Sequence, residues 1–204
     1  MNTVYLIDLL AVFVFALSGA LAADRQRMDL FGFVGIALLP ALGGGTLRDL
    51  IIDAPVFWLS DTVYLLMVLL AALFTFLAAN LIHRTGQWLA WADAVGLALF
   101  SVIGASKTLA LGHGPVIATV MGVITAVAGG MLRDVTCNEV PLILREEVYA
   151  TAALAGAATC VGLTEAGAPP EAALWIGALI GFAVRGAGLI WHLSLPKRGV
   201  PPAD

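Results

Sequence analysis

Seven long apolar runs, separated by short polar segments, dominate the hydrophobic pattern of this chain. They fall at about 4–23, 30–47, 62–82, 91–110, 115–132, 147–164 and 171–193. Each run is close to the ~20 residues that an α-helix needs to cross ~30 Å of hydrocarbon. The runs do not alternate apolar and polar residues, as the strands of a membrane β-barrel do. The pattern therefore predicts an all-α integral membrane protein with seven transmembrane helices.

The composition excludes several functional classes. Of 204 residues, 61% are hydrophobic and 12% are charged, whereas a soluble domain is about half apolar and a quarter charged. The net charge of −4 argues against a nucleic-acid partner, which would require a basic patch. Cys137 and Cys160 lack metal-ligand spacing, so we expect reduced thiols, no structural metal and no cofactor. Motifs of common hydrolases and phosphate-binding loops are absent, so the sequence does not indicate an enzyme.

An internal repeat appears when the sequence is aligned with itself at an offset of 85 residues. The aligned pairs are Asp8 with Asp93, Gly44-Gly45 with Gly129-Gly130, Arg48-Asp49 with Arg133-Asp134, and Tyr64 with Tyr149. Each copy holds three runs, and this odd number makes the second copy enter the membrane from the opposite side. We therefore expect one transmembrane domain over 1–204, with repeat 1 at about 4–82, repeat 2 at about 89–167, and a seventh helix at about 171–193.

The distribution of basic residues predicts the orientation. With the N-terminus outside, the inner side collects Arg25, Arg27, Arg84, Arg133, Arg145, Lys197 and Arg198. The outer side keeps Arg48 and Lys107, so the positive-inside rule favours an external N-terminus and a cytoplasmic C-terminus. The run at 4–23 aligns with the internal run at 91–110, and we expect it to be a retained span and not a signal peptide.

Glycine clusters interrupt the second and fifth runs. The glycines are Gly43, Gly44 and Gly45 in the second run, and Gly129 and Gly130 in the fifth. Each glycine costs about 1 kcal/mol in a helix interior relative to alanine, and Pro40 removes a backbone donor. We expect the second helix to kink or unwind, the fifth more mildly. Freed carbonyls would then line a polar cavity and bind a cation or a small polar solute. The alternative is that the glycines allow close helix packing.

Charged residues within or beside the runs form the other part of the predicted site. They are Asp8, Arg48, Asp49, Asp93, Lys107, Arg133 and Asp134. Since adjacent residues do not share a helix face, we expect Arg48 and Arg133 to find partners elsewhere, in Asp134, Asp49, Asp8 or Asp93. Alternatively, both arginines snorkel to the head-group boundary. Lys107 is either a gating or pathway charge or a snorkelling anchor.

The combination of these features resembles the prokaryotic trimeric intracellular cation (TRIC) channels. The resemblance is carried by "GGGTLRD" and "GGMLRD" at a fixed offset within an inverted repeat, and it covers about residues 4–195. It implies a homotrimer in the prokaryotic inner membrane. Each protomer would have its own potassium-conducting pore between the two repeats, lined by Gly43, Gly44, Gly45, Gly129 and Gly130. A related bacterial set with the same glycine motif is described as glycine transporters.

Three hypotheses follow from the sequence and the resemblance. The first is a passive channel for potassium or another monovalent cation, one pore per protomer. The second is a secondary transporter of a small amino acid such as glycine, since intramembrane acids and arginines can hold ammonium and carboxylate groups. The third is a membrane scaffold without transport. In each case the expected partners are membrane lipids and, from the resemblance, further copies of this chain.

Overall fold

The structure, a computed structural model, describes residues 3–82, 87–145 and 148–193. Within these ranges it contains seven long helices and two helices of four residues. The long helices are α1 (Thr3–Arg25), α2 (Leu30–Ile51), α4 (Val63–Ile82), α5 (Trp88–Ala110), α6 (Pro115–Thr136), α8 (Ala150–Glu165) and α9 (Pro170–Trp191). The short helices are α3 (Phe57–Ser60) and α7 (Leu142–Arg145). Each apolar run of the sequence overlaps one long helix, whereas the pattern does not predict the short ones.

Five of the long helices are apolar and long enough to cross a membrane: α1, α2, α5, α6 and α9. Helix α8 has 16 residues, which corresponds to about 24 Å. The number of seven spans therefore stays a prediction. Of the basic residues used to predict the orientation, Arg84, Lys197 and Arg198 lie outside the described residues.

The bounds of α2 and α6 follow from local chemistry. The Asp29 carboxylate accepts a hydrogen bond from the Gly32 amide at 2.8 Å and caps the start of α2, while Pro115 occupies the first turn of α6. Just beyond the two helices, Asp53 (φ 52°) and Asn138 (φ 56°) are left-handed, a conformation that Asp and Asn tolerate best among residues with a side chain. These two residues are 85 positions apart, so the repeat extends to the way each helix ends.

The backbone of α2 stays helical from Leu30 to Ile51, with Pro40 inside it. The unwinding predicted for the glycine segment is therefore not found, although a bend that keeps the helix intact stays a prediction. The carbonyl of Ile36, which Pro40 leaves without its helical donor, packs against α1. A Cβ placed on Gly19 would lie 2.7 Å from this oxygen. The absence of a side chain at Gly19 thus allows α1 to cover the freed carbonyl.

Helices α2 and α6 cross through a reciprocal pair of close contacts. A Cβ at Gly44 would overlap the carbonyl oxygen of Thr125. A Cβ at Gly129 would lie 2.6 Å from the carbonyl oxygen of Pro40. Since Gly129 and Thr125 are the repeat counterparts of Gly44 and Pro40, the same contact is made twice, as in a two-fold interface. The two helix backbones can approach this closely because these glycines carry no side chain.

Candidate functional site

Charged and hydroxyl side chains from the two repeats gather in two clusters. The first-repeat cluster consists of Asp8, Arg48, Asp49, Tyr64 and Lys107. The second-repeat cluster consists of Ser18, Asp93, Arg133, Asp134 and Tyr149. All the charged residues predicted for the site belong to one cluster or the other. The hydroxyl residues Ser18, Tyr64 and Tyr149 are additions to the predicted site. The alignment of Tyr64 with Tyr149 was visible in the sequence, but it was not interpreted as part of the site.

Asp49 is the centre of the first-repeat cluster. Its Oδ1 atom accepts a hydrogen bond from Arg48 Nε at 2.8 Å and an ion-pair contact from Lys107 Nζ at 2.9 Å. Its Oδ2 atom accepts the Phe57 amide at 3.0 Å, which fixes the start of the short helix α3. Asp49 is fully buried, whereas the Lys107 side chain is 32% exposed. The buried Asp49 carboxylate is therefore bound by two cations, the buried Arg48 and the partly exposed Lys107.

Two tyrosine–aspartate pairs stand beside this ion pair. The Tyr64 hydroxyl donates to Asp8 Oδ2 at 2.6 Å, and the Tyr5 hydroxyl donates to Asp61 Oδ2 at 2.6 Å. The Tyr5 and Tyr64 rings meet edge to face at 6.1 Å. Hydrogen bonds from the Tyr5 hydroxyl and from the Val63 amide hold the pKa of the Asp61 carboxyl below its usual value. Asp61 is therefore expected to carry its negative charge at neutral pH.

The second-repeat cluster is built around the Arg133 guanidinium. Arg133 donates from Nη1 to Asp93 Oδ1 at 2.7 Å and to Ser18 Oγ at 3.0 Å. Its Nε donates to Asp134 Oδ1 at 2.8 Å, and Asp134 Oδ2 accepts the Leu142 amide at 2.9 Å. Arg133 is fully buried, so α1, α5 and α6 are joined through one desolvated guanidinium.

The two clusters lie at different heights along the same helices. Asp8 and Ser18 are ten positions apart on α1, a distance of about 15 Å along a helix. Helix α5 connects the clusters in the reverse order, with Asp93 in the second-repeat cluster and Lys107 in the first. Helices α1 and α5, which are repeat counterparts, therefore run in opposite directions between the clusters.

The predicted partners of the arginines were partly wrong. Arg133 does pair with Asp93 as one alternative required, but neither Arg48 with Asp134 nor Arg133 with Asp49 forms an ion pair among the described residues. Instead, each arginine binds the aspartate that follows it. Near the end of each helix the guanidinium group reaches the carboxylate of the next residue. Snorkelling is also wrong, since Arg48 and Arg133 are buried within the protein.

The predicted glycines lie between helices and beside the clusters. Gly44 and Gly129 form the α2–α6 crossing already described, and a Cβ at Gly43 would meet Leu132 Cδ1 at 2.9 Å. A Cβ at Gly45 would meet the Phe57 ring at 2.6 Å, and one at Gly130 would meet the Tyr149 hydroxyl at 2.7 Å. The last two glycines thus make room for side chains next to the Arg-Asp pairs. Their role as pore lining stays a prediction.

Solved structures of TRIC channels share this arrangement of helices. The crystal structure of the TRIC trimeric intracellular cation channel orthologue from Rhodobacter sphaeroides has a TM-score of 0.90 and 47% identity, over 95% of this chain and 100% of that one. A second TRIC cation channel structure has a TM-score of 0.87 and 32% identity, over 99% of this chain and 100% of that one. The protein is therefore an all-helical membrane protein with the TRIC fold.

Sequence relatives give the family. A sequence model described as "Glycine transporter" matches residues 5–80 and 90–165, two segments offset by 85 residues. The chain is 41% identical over 201 residues to the UPF0126 inner membrane protein YadS of Escherichia coli strain K12, covering 95% of each chain. It is 42% identical over 197 residues to a UPF0126 membrane protein of Vibrio cholerae, covering 96% of this chain and 82% of that one. The chain therefore belongs to the family that this sequence model and the UPF0126 inner membrane proteins represent. The naming of this family and the TRIC fold both match the resemblance seen in the sequence.

Proposed function

We propose that this protein is a passive channel for monovalent cations, chiefly potassium, with one pore in each protomer. The observation that carries the proposal is the likeness to a solved cation channel at 47% identity over 95% of the chain. The likeness extends over the helices that hold both charge clusters. No covalent chemistry is required of the site, and the protein acts without a cofactor.

The route proposed for the ion lies between the two repeats, among α1, α2, α5 and α6. The Asp8 and Asp49 carboxylates supply the negative charge that attracts a cation to the first-repeat cluster. Lys107 opposes this attraction because its ammonium group contacts both oxygens of Asp49, at 2.9 and 3.0 Å. The α2–α6 crossing at Gly44 and Gly129 is the narrow point at which helix movement would open or close the route.

The membrane arrangement proposed has seven spans, formed by α1, α2, α4, α5, α6, α8 and α9. The opposite directions of α1 and α5 between the clusters support an inverted repeat, and so does the double match of the family model. The N-terminus is proposed to be outside and the C-terminus cytoplasmic. A homotrimer surrounded by lipid is proposed from the Rhodobacter sphaeroides relative, which is trimeric.

Amino-acid transport remains the second candidate, because the family model carries the description "Glycine transporter". The first-repeat cluster holds both negatively charged carboxylates and positively charged side chains, which suits a zwitterion. The channel is preferred, since it requires no alternating exposure of a closed binding site.

Ion flux into proteoliposomes separates the two candidates. Purified protein should carry potassium down its gradient, without saturation by glycine and without a coupled proton or sodium gradient. Saturable uptake of labelled glycine, competed by unlabelled glycine and unaccompanied by potassium flux, would contradict the channel proposal.

A variant at Lys107 tests the proposed route. Lys107→Gln removes a positive charge from the mouth of the first-repeat cluster, and Asp49 keeps its Arg48 partner. We expect a roughly three- to tenfold faster initial potassium flux, a change of about 0.7–1.4 kcal/mol in the barrier. Lys107→Arg, which keeps the charge, serves as the matched control. Flux through Lys107→Gln no faster than through Lys107→Arg would place the lysine outside the route.

A further inference from the structure

Arg185 is a buried cation on the helix that has no repeat counterpart. It lies in α9, which packs against α5 and α8. Its side chain is fully excluded from solvent. A buried guanidinium is costly unless it is balanced by charge and hydrogen bonds. Its surroundings therefore indicate which part of the molecule requires a positive charge at this position.

The contacts of Arg185 lead to the second-repeat cluster. Its guanidinium carbon lies 5.0 Å from the centre of the Tyr149 ring, within the range of a cation–π interaction. Nη1 donates to the Val148 carbonyl at 3.3 Å. Val148 also packs closely on α9, since a Cβ at Gly188 would lie 2.9 Å from the Val148 Cβ. Arg185 thus holds the segment that carries Tyr149.

Tyr149 connects this cation to the buried carboxylates. Its hydroxyl oxygen, Asp93 Oδ1 and Arg133 Nη2 all surround Gly130, at 2.7, 3.6 and 3.7 Å from the position of a Cβ on that residue. The tyrosine therefore has the Arg185 cation over its ring and the Asp93–Arg133 pair at its hydroxyl end.

A comparison of formal charges shows what Arg185 contributes. The first-repeat cluster contains two carboxylates, Asp8 and Asp49, and two cations, Arg48 and Lys107. Among the residues that the structure describes, the second-repeat cluster contains two carboxylates, Asp93 and Asp134, but only one cation, Arg133. Position 22, the repeat counterpart of Lys107, is an alanine. The internal symmetry therefore leaves one buried carboxylate of the second-repeat cluster without a balancing charge.

We propose that Arg185 is a positioning residue that supplies this missing positive charge, acting on the second-repeat cluster through Tyr149. The two halves then reach neutrality by different means. In the first half the second cation is Lys107, which is partly exposed and able to move. In the second half it is Arg185, which is buried and fixed by α9. The second-repeat cluster accordingly stays closed, and ion-dependent movement is confined to the first.

Charge removal and compensation test this assignment. Arg185→Gln should lower the melting temperature of the detergent-solubilised protein by roughly 10 °C, since it leaves a buried carboxylate unbalanced. Arg185→Lys, which keeps the charge, should retain at least half of the lost stability. Arg185→Gln combined with Asp93→Asn should melt above Arg185→Gln alone, because the second change removes the unbalanced carboxylate. The amide oxygen can still accept the hydrogen bond from Arg133.

Arg145→Gln is the matched control, because it removes a positive charge from a surface ion pair with Glu139. The proposal is overturned if Arg185→Gln melts like Arg145→Gln, if Arg185→Lys loses as much as Arg185→Gln, or if the double variant melts no higher than Arg185→Gln. If Arg185→Gln cannot be purified folded, recovery of Arg185→Lys and of the double variant supports the proposal, and loss of both overturns it.

A second measurement concerns gating and rests on the proposed channel function. In planar bilayers Arg185→Lys should leave the open probability close to that of the unmodified protein, because it keeps the positive charge and the first-repeat cluster, to which movement is confined, is untouched. A changed open probability would contradict the confinement of movement to the first half. Silent bilayers for the unmodified protein would refute the channel and leave the melting measurements to decide the role of Arg185.

Discussion

The α2–α6 crossing predicts opposite effects for the same substitution at two glycines of one helix. At Gly44 a Cβ would overlap the Thr125 carbonyl oxygen, a backbone atom that moves only if the helices separate. Gly35 lies nine residues earlier, on the opposite face of α2, and a Cβ there would meet nothing within 4 Å. Gly44→Ala should therefore destabilise the protein and Gly35→Ala should stabilise it.

The magnitudes come from two competing terms. Replacing glycine by alanine in a helix interior gains about 1 kcal/mol, and this is the whole effect expected at Gly35. Overpacking a tight contact costs about 1–3 kcal/mol. At Gly44 this cost should exceed the gain of about 1 kcal/mol from the alanine, because the neighbouring atom belongs to the backbone. Gly43→Ala should fall between the two, because its neighbour is the flexible end of Leu132, with Cδ1 at 2.9 Å.

Thermal unfolding of the three alanine variants in detergent measures this order. At about 2–4 °C per kcal/mol for a chain of this size, Gly35→Ala and Gly44→Ala should differ by roughly 8 °C. A melting temperature for Gly44→Ala equal to or above that of Gly35→Ala would refute the close crossing. The result also bears on permeation. A larger side chain at Gly44 would disrupt the helix crossing, so a loss of ion flux in such a variant would not by itself indicate a blocked pore.

Two further predictions concern thiols and orientation. Burial raises the pKa of the Cys137 thiol, so Cys137 should react with maleimide only as the pH rises well above neutral, and modification at neutral pH comparable to that of free cysteine would contradict its placement. Cys160 is also buried, and the unmodified protein is therefore a quiet background for added cysteines. In intact cells a membrane-impermeant maleimide should label Leu111→Cys but not Arg27→Cys, and the reverse pattern would overturn the proposed orientation.

The sequence predicted the helices well because long apolar runs and the requirement for internal hydrogen bonding leave little choice of structure. It named Asp8, Asp49 and Lys107 among the charged residues of the site, but it did not predict that Lys107 contacts Asp49. It did not predict the short helices α3 and α7. A helix of four residues is too short to show a hydrophobic periodicity. The first residues of α3 and α7 are instead fixed by backbone amide hydrogen bonds to the Asp49 and Asp134 carboxylates.

The glycines show where sequence reasoning reached its limit. A broken helix and a tight helix crossing both require residues without a Cβ, so Gly44 and Gly129 were compatible with either. In the structure each of them lies against the backbone of the other helix, which the sequence alone does not reveal. The partners of Arg48 and Arg133 were equally undetermined, because a long guanidinium side chain at a helix end can reach several carboxylates, including the one next to it.

The central claim is that the protein passes cations, and a planar lipid bilayer tests it most directly. Purified protein reconstituted under a potassium gradient should give unitary currents that reverse near the potassium equilibrium potential. Bilayers that remain electrically silent, with protein insertion verified, would contradict the claim.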